Sequence, residues 1–285
     1  MTNPADIGRV LLAGADGMLG RAWRELLASR DVEPVTPPLD ELDLTRPESM
    51  ALVADGAFDT VINCAAWTDV DGAEEHEDEA TRVNGEGVGA LAEACAHAGA
   101  LLVHYSTDYV FNGRATTPYP TDHPRDPINA YGRSKAAGER RLEASGCRYL
   151  LIRTSWLYAP WGANFVRTMA RLTAERDELR VVNDQRGRPT SGEHLARASL
   201  GLIEAGQTGT FHVTDAGECT WHAFTVEIAR ILGHACGIEA CTSDEFPRPA
   251  ARPGYSVLDL SATEDALGPM PDWRQNLADV LNRLE

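Results

Sequence analysis

The chain alternates between short apolar runs and longer stretches whose apolar residues recur at helical spacing. Arg9-Val10-Leu11-Leu12-Ala13 is the first run; it stops at Gly14, and residues 18–28 then show helical periodicity. Strand-like runs recur at 60–63, 101–105, 149–153, 179–182 and 210–213, and amphipathic helices fit residues 76–98, 130–144, 163–176, 192–205 and 220–233. Alternation of this kind predicts an α/β fold, a doubly wound parallel sheet with helices on both faces. Residues 116–127, rich in Pro, Thr and Asp, read as a long exposed loop, and residues 247–253 as an extended, proline-rich crossing. After about residue 155 the rhythm is less regular. The expected organisation is a first domain over residues 1–155 and a smaller lobe over residues 156–285, with segments of the latter returning to the sheet.

Between the first run and the first helix lies Gly14-Ala15-Asp16-Gly17-Met18-Leu19-Gly20. Glycines at this spacing let the backbone turn tightly and approach a pyrophosphate, whose charge sits at a helix N-terminus. In a first strand–turn–helix unit the pattern favours dinucleotide binding over a plain turn, and makes the fold Rossmann-like. The second strand should end near Thr36, where an acid often holds the ribose hydroxyls of NAD. The sequence there is Val35-Thr36-Pro37-Pro38, with no acid until Asp40 and no arginine for a 2′-phosphate. The expected cofactor is NADPH, with NADH left open.

Tyr131 and Lys135 are four residues apart, so on a helix they share one face. A phenol is a poor proton donor or acceptor at neutral pH, and a nearby ammonium brings it toward the working range. A lone Tyr-x-x-x-Lys is more often a surface helix; its context here is different. Ser106-Thr107-Asp108 sits where the run 101–105 ends, and ligands of open parallel sheets bind beyond the carboxyl ends of strands. A hydroxyl there can polarise a carbonyl in concert with the phenol. Together the glycine turn, the strand-end hydroxyls and the Tyr-Lys pair suit hydride transfer to a carbonyl. Small residues at Asn63-Cys64-Ala65-Ala66 allow close passage of a cofactor or merely tight packing. Asn84 can bond backbone or face solvent.

Charge and cysteine content narrow the classes. A formal charge of −17 over 285 residues argues against nucleic acid or an anionic membrane as partner. No run of 18 apolar residues exists, and the six cysteines lack metal-ligand spacing, which suits a cytoplasmic protein with reduced thiols. The acidic cluster of Asp69, Asp71, Glu74, Glu75, Glu77, Asp78 and Glu79 has no ligand pattern and reads as a solvated face, so no metal is expected.

The blocks Gly14–Gly20, Asn63–Asp71, His104–Phe111 and Tyr131–Lys135 resemble the extended short-chain dehydrogenase/reductases. Arg153–Tyr158, Asn183–Thr190 and Ala250–Pro253 narrow the resemblance to the dTDP-4-dehydrorhamnose reductase family, over nearly the whole chain. The resemblance implies reduction of the C4 ketone of a dTDP-4-keto-6-deoxy sugar, with Tyr131 donating the proton. It gives Lys135 the nicotinamide ribose and the task of lowering the phenol's pKa, and gives Thr107 the developing oxyanion. Gly14, Gly17, Met18, Leu19, Asp43, Leu44, Ala66, Trp67 and Thr68 would line the cofactor. Asp108 and Trp156 would touch the sugar, and Arg186, Arg188 and Arg252 are the candidates for the nucleotide-sugar side. Some relatives hold magnesium at a dimer contact through glutamates, one just after the glycine turn; here Arg21-Ala22-Trp23-Arg24 stands there, so the metal is not carried over and a homodimer stays open. Two alternatives remain. One is a 4-ketoreductase of another dTDP-4-keto sugar in antibiotic biosynthesis, the other a non-catalytic cofactor-binding regulatory subunit.

Overall fold

The computed structural model describes residues 7–284. At its centre β1 (Val10–Ala13), β2 (Thr60–Asn63), β3 (Leu101–Thr107) and β4 (Arg148–Thr154) lie side by side in that order, all parallel, and strand Gly209–His212 closes the far edge. Every residue of β1, β2 and β3 is buried, so β1, the middle of β2 and the start of β3 read as apolar runs, while polar residues such as Asn63, Ser106 and Thr107 gather toward the carboxyl ends. Successive side chains leave for opposite faces. Val10, Leu12, Ile62, Val103 and Ile152 pack with Trp23 and Leu27 of helix Met18–Ala28 and with Leu195 and Leu202 of helix Gly192–Glu204. Leu11, Val61, Leu102 and Leu151 pack on the other face with Val53, Leu91, Cys95 and Leu142. The sheet is doubly wound, as the alternation of elements predicts.

A third apolar cluster lies away from both sheet faces. It joins Val166 and Ala170 of helix Phe165–Glu175, Phe224 and Ile228 of helix Trp221–Leu232, and Trp273, Leu277 and Val280 of helix Trp273–Leu281. Among the described residues no helix is long and apolar enough to cross a membrane.

Four local expectations change. The second strand shrinks to one bridge, Val35 against Leu11, with bonds of 2.9 and 2.8 Å to Leu12 and Val10, because Pro37 and Pro38 cannot donate to a ladder. The helix expected over residues 76–98 is interrupted: Glu77–Thr81 and Val88–Ala98 flank a wide π-helical stretch, Arg82–Gly87. Strand Glu178–Val182 forms, but pairs in parallel with Gly237–Cys241 outside the central sheet. The stretch 116–127 is not simply exposed: Tyr119 is buried, stacks on Phe111 at 4.5 Å, and its backbone exchanges bonds with Val257 and Asp259.

Candidate active site

Helix Ala130–Ala144 is held at its start from three directions. Asn129 is its N-cap, accepting from Gly132 N–H at 2.7 Å, while the same side chain donates to the Ala251 carbonyl at 2.8 Å. Glu74 accepts from the Ala130 N–H at 2.8 Å. Two glycines let the helix lie against its neighbours: a Cβ at Gly132 would meet the Tyr109 carbonyl, and one at Gly138 the Asn84 carbonyl. The π-helical turn presents Asn84 inward. Its amide bridges both backbone groups of Trp67 and reaches Ser134 Oγ, each at 3.0 Å. A π-bulge at a functional site is common, and this one joins the glycine-turn side to the helix of Tyr131.

Thr107 ends β3, and its hydroxyl donates to Asp108 Oδ1 at 3.0 Å. The Tyr131 phenol lies at the same strand end, close enough for Thr107 and Asp108 both to act on it. Burial, and then the Asp108 charge, push the phenol's pKa up, while the Thr107 bond opposes. The phenol is therefore neutral, which a proton donor requires. Lys135 is 2 % exposed and donates to the Tyr105 carbonyl at 2.7 Å. Burial lowers its pKa to about 8, opposed by Glu139 one turn further along the helix. The expected lowering of the Tyr131 pKa by Lys135 is not what governs the phenol here: burial is the largest influence, and one donor of the ammonium goes to the Tyr105 carbonyl. Asp108 is 2 % exposed, and burial raises its carboxyl to about 7 against bonds from Ser256, Thr107 and backbone. Its Oδ2 has no hydrogen-bond partner.

Behind Lys135 lies a buried ion cluster the sequence did not announce. Glu139 is fully buried, accepts from Arg153 at 2.9 and 2.8 Å, and also pairs with Arg125. Arg153 donates to the Thr121 carbonyl at 2.8 Å and lies over the Phe111 ring.

The glycine turn fits a bound dinucleotide. Gly14 has φ +71°, and a Cβ there would stand 2.6 Å from the Ala65 N, so the loop rests on the end of β2. Gly20 is needed because a Cβ would fall on the Gly14 carbonyl. The N-cap of helix Met18–Ala28 is Gly17, with no side chain capping the first turn, so its N–H groups face the loop without a protein acceptor from the cap. Of the expected cofactor residues, Leu19 and Leu44 turn their side chains into the two cores. Met18 is partly buried, and its carbonyl accepts from Trp161 at 3.0 Å. Asp43 accepts from the Thr45 N–H at 2.8 Å and from its hydroxyl; these bonds, and then the nearby Arg46, keep its carboxyl below the usual range. Ala66 and Trp67 follow β2 half-buried and Thr68 is exposed.

A cavity of about 800 Å³ opens beside Tyr109. Arg176, Arg180, Arg248 and Arg252 line it, with Phe165, Trp221 and Phe246. Of the three arginines chosen from the sequence, Arg252 lines it and is forked onto Asp71 at 2.6 and 3.0 Å. Arg186 is exposed and pairs with Glu218 at 2.9 Å. Arg188 is half-buried; burial lowers its pKa, and its Nε lacks a partner. Arg176, Arg180 and Arg248 carry no motif, and only the fold gathers them. Nor is the acidic cluster a plain solvated face. Asp71 holds Arg252, Glu74 holds the helix start, and Glu77 forks onto Arg133 at 2.7 and 2.6 Å.

Trp156 follows β4 by two residues, and β4 ends at Thr154, the partner of Thr107 in register. Its φ is +47°, an outlier for a bulky residue. The indole stacks on Trp221, ring centroids 3.5 Å apart and 10° from parallel.

The family described as RmlD substrate binding domain matches residues 8–285. The dTDP-4-dehydrorhamnose reductase of Streptomyces griseus is 43% identical over 280 residues, 95% of this chain and 92% of that protein. A dTDP-4-keto-6-deoxy-D-glucose reductase of Streptomyces niveus is 40% identical and covers 93% of each chain. The crystal structure of dTDP-4-dehydrorhamnose reductase from Bacillus anthracis in complex with NADP superposes with a TM-score of 0.93 at 36% identity, over 97% of this chain and 99% of that one.

Proposed function

The chain belongs to the RmlD substrate binding domain family, and on that premise we propose that it is the NADPH-dependent enzyme that reduces the C4 ketone of dTDP-4-dehydro-L-rhamnose to dTDP-L-rhamnose. The observation that carries this reading is the meeting of Thr107, Tyr131 and Lys135 at the carboxyl end of β3. NADPH, when bound, supplies the hydride. Gly14, Gly17 and the open first turn of helix Met18–Ala28 would hold its pyrophosphate. Tyr131 donates its phenolic proton to the carbonyl oxygen as negative charge develops there. Thr107 turns its hydroxyl from Asp108 to the same oxygen, a bond that strengthens in the transition state. Lys135, anchored on Tyr105, presents its remaining donors toward the cofactor ribose.

Asp108 and Trp156 are assigned to the sugar. Arg252 and the three further arginines of the cavity are assigned to the diphosphate, a locally basic pocket in a chain of charge −17. Residues 1–155 are assigned to cofactor binding and residues 156–285 mainly to substrate. Six free thiols support a cytoplasmic setting, and sizing chromatography would tell monomer from homodimer.

The test is loss of nicotinamide absorbance on adding dTDP-4-dehydro-L-rhamnose, with NADPH and NADH in parallel. Fast oxidation with identification of dTDP-L-rhamnose supports the reading, and no oxidation despite NADPH binding sinks it. The Streptomyces niveus relative, 40% identical, supports a second reading: reduction of a dTDP-4-keto-6-deoxy sugar of different ring stereochemistry. Running both keto sugars in one assay ranks the two.

A further inference from the structure

Trp221 escapes sequence reasoning, yet it links three parts of the site. Its ring stacks on Trp156 and lies 4.4 Å from the Phe165 centroid. Its indole N–H donates to Gln185 Oε1 at 3.1 Å, and Gln185 in turn donates to Ser243 at 2.9 Å. Trp221 is the first residue of its helix, held there by the Thr220 cap, whose hydroxyl accepts from Ala223 N–H at 3.1 Å and donates to Asn183 at 2.6 Å. The wall of the 800 Å³ cavity includes Trp221, Gln185 and Phe165.

The Trp156 indole also meets backbone. A Cβ at Gly187 would stand 2.7 Å from the Trp156 ring, so only glycine lets the chain pass there. The Trp156 carbonyl accepts from Thr190 N–H at 3.2 Å. An indole on a left-handed backbone is costly, and such a conformation persists where its surroundings over-determine it. Here Trp221, Gly187 and Thr190 do so.

We propose that Trp221 is a positioning residue of the reductase: itself in the cavity wall, it stacks on Trp156 and bonds Gln185, so that it fixes the indole assigned to the sugar and sets sugar-nucleotide affinity. This deepens the assignment of Trp156 to the sugar and rests on it. A purely structural Trp221 would move stability and leave the kinetic constants for one substrate no worse than for the other.

The experiment compares the full-length wild-type enzyme with Trp221→Ala, Trp221→Phe and Trp156→Phe, using NADPH and dTDP-4-dehydro-L-rhamnose. For Trp221→Ala the KM for the sugar nucleotide should rise about two- to tenfold, the worth of one aromatic stack, with the KM for NADPH unchanged. Trp221→Phe, which keeps the aromatic contact with Phe165 and Phe224, should restore most of that loss. Two parallel indoles also couple in far-ultraviolet circular dichroism; the couplet should vanish alike in Trp156→Phe and Trp221→Phe, and should change in the wild type when dTDP is added. If Trp156→Phe raises the sugar KM while both Trp221 variants leave it unaltered, the inference is overturned and the assignment of Trp156 stands. If Trp156→Phe is itself neutral, the underlying assignment fails and takes the inference with it. Should Trp221→Ala not fold, Trp221→Leu replaces it under the same criteria.

Discussion

Lys135 Nζ donates to the Tyr105 carbonyl at 2.7 Å, so the buried ammonium of the Tyr131 helix is fastened to the strand that ends in Thr107. Burial brings its pKa down to about 8, against the pull of Glu139. Turnover that needs the cation should be flat below that value and fall as pH rises through about 8. The stability sign is the reverse of a salt-bridged lysine. The folded value lies below the free value of 10.5, so between about 8 and 10.5 the unfolded chain binds more protons and this group's contribution improves with pH. A pH–rate profile of kcat/KM, with thermal melts across the same range, checks both.

Tyr131→Phe removes the proton donor and keeps the ring that meets Tyr109 edge-on at 6.1 Å. Turnover should drop by about 10²–10⁴-fold, the ordinary range for a general acid. NADPH binding, followed by fluorescence titration, should survive. A variant with more than a tenth of wild-type activity would remove Tyr131 from this role.

Asp108 is a carboxylate kept almost dry with one oxygen unpartnered, and its pKa of about 7 records that cost. Its folded value is raised above 3.8, so the folded state holds the extra proton between about 3.8 and 7, and stability is lost as pH climbs through that window. Asp108→Asn should therefore raise Tm at pH 8 and flatten its dependence on pH between 4 and 7. The same change should weaken sugar-nucleotide binding. Differential scanning calorimetry at three pH values, paired with kinetics, would show whether stability and function trade against each other here.

Gly14→Ala and Gly99→Ala make a matched pair. Both glycines have φ near +70° (+71° and +72°), but a Cβ at Gly14 strikes the Ala65 backbone while one at Gly99 meets open space. Gly99→Ala should cost about 1 kcal/mol and leave NADPH affinity intact. Gly14→Ala should cost more and abolish NADPH binding. Urea titration and isothermal calorimetry separate the two effects.

Glu139→Leu leaves Arg153, at 2% exposure, and its neighbour Arg125 without their shared anion. Breaking one side of a buried ion pair costs about 3–5 kcal/mol, so the urea midpoint should fall steeply. Glu139→Gln should fall less, because its amide oxygen still accepts from a guanidinium. Equal loss in both would mean that packing, rather than charge, holds this cluster.

The sequence by itself determined the parts whose causes are local. β1 is buried on both faces and so carries an unbroken apolar run; the glycine turn needs a left-handed residue at Gly14; the helix Ala130–Ala144 begins at an asparagine cap and places Tyr131 over Lys135. Only the tertiary structure decided the rest, because its causes lie far apart along the chain. Asp71 and Arg252 are 181 residues apart, and nothing in either neighbourhood predicts their fork. The periodicity of residues 76–98 could not reveal the π-helical turn, since what widens that turn is the backbone of the neighbouring helix at Gly138 and the bonds of Asn84 to Trp67 and Ser134. The arginines of the cavity and the stack of Trp156 on Trp221 likewise exist only once three separate segments have been folded together. Helical and strand periods record which face of an element is dry, and the partner on that face is chosen by the packing of the whole chain.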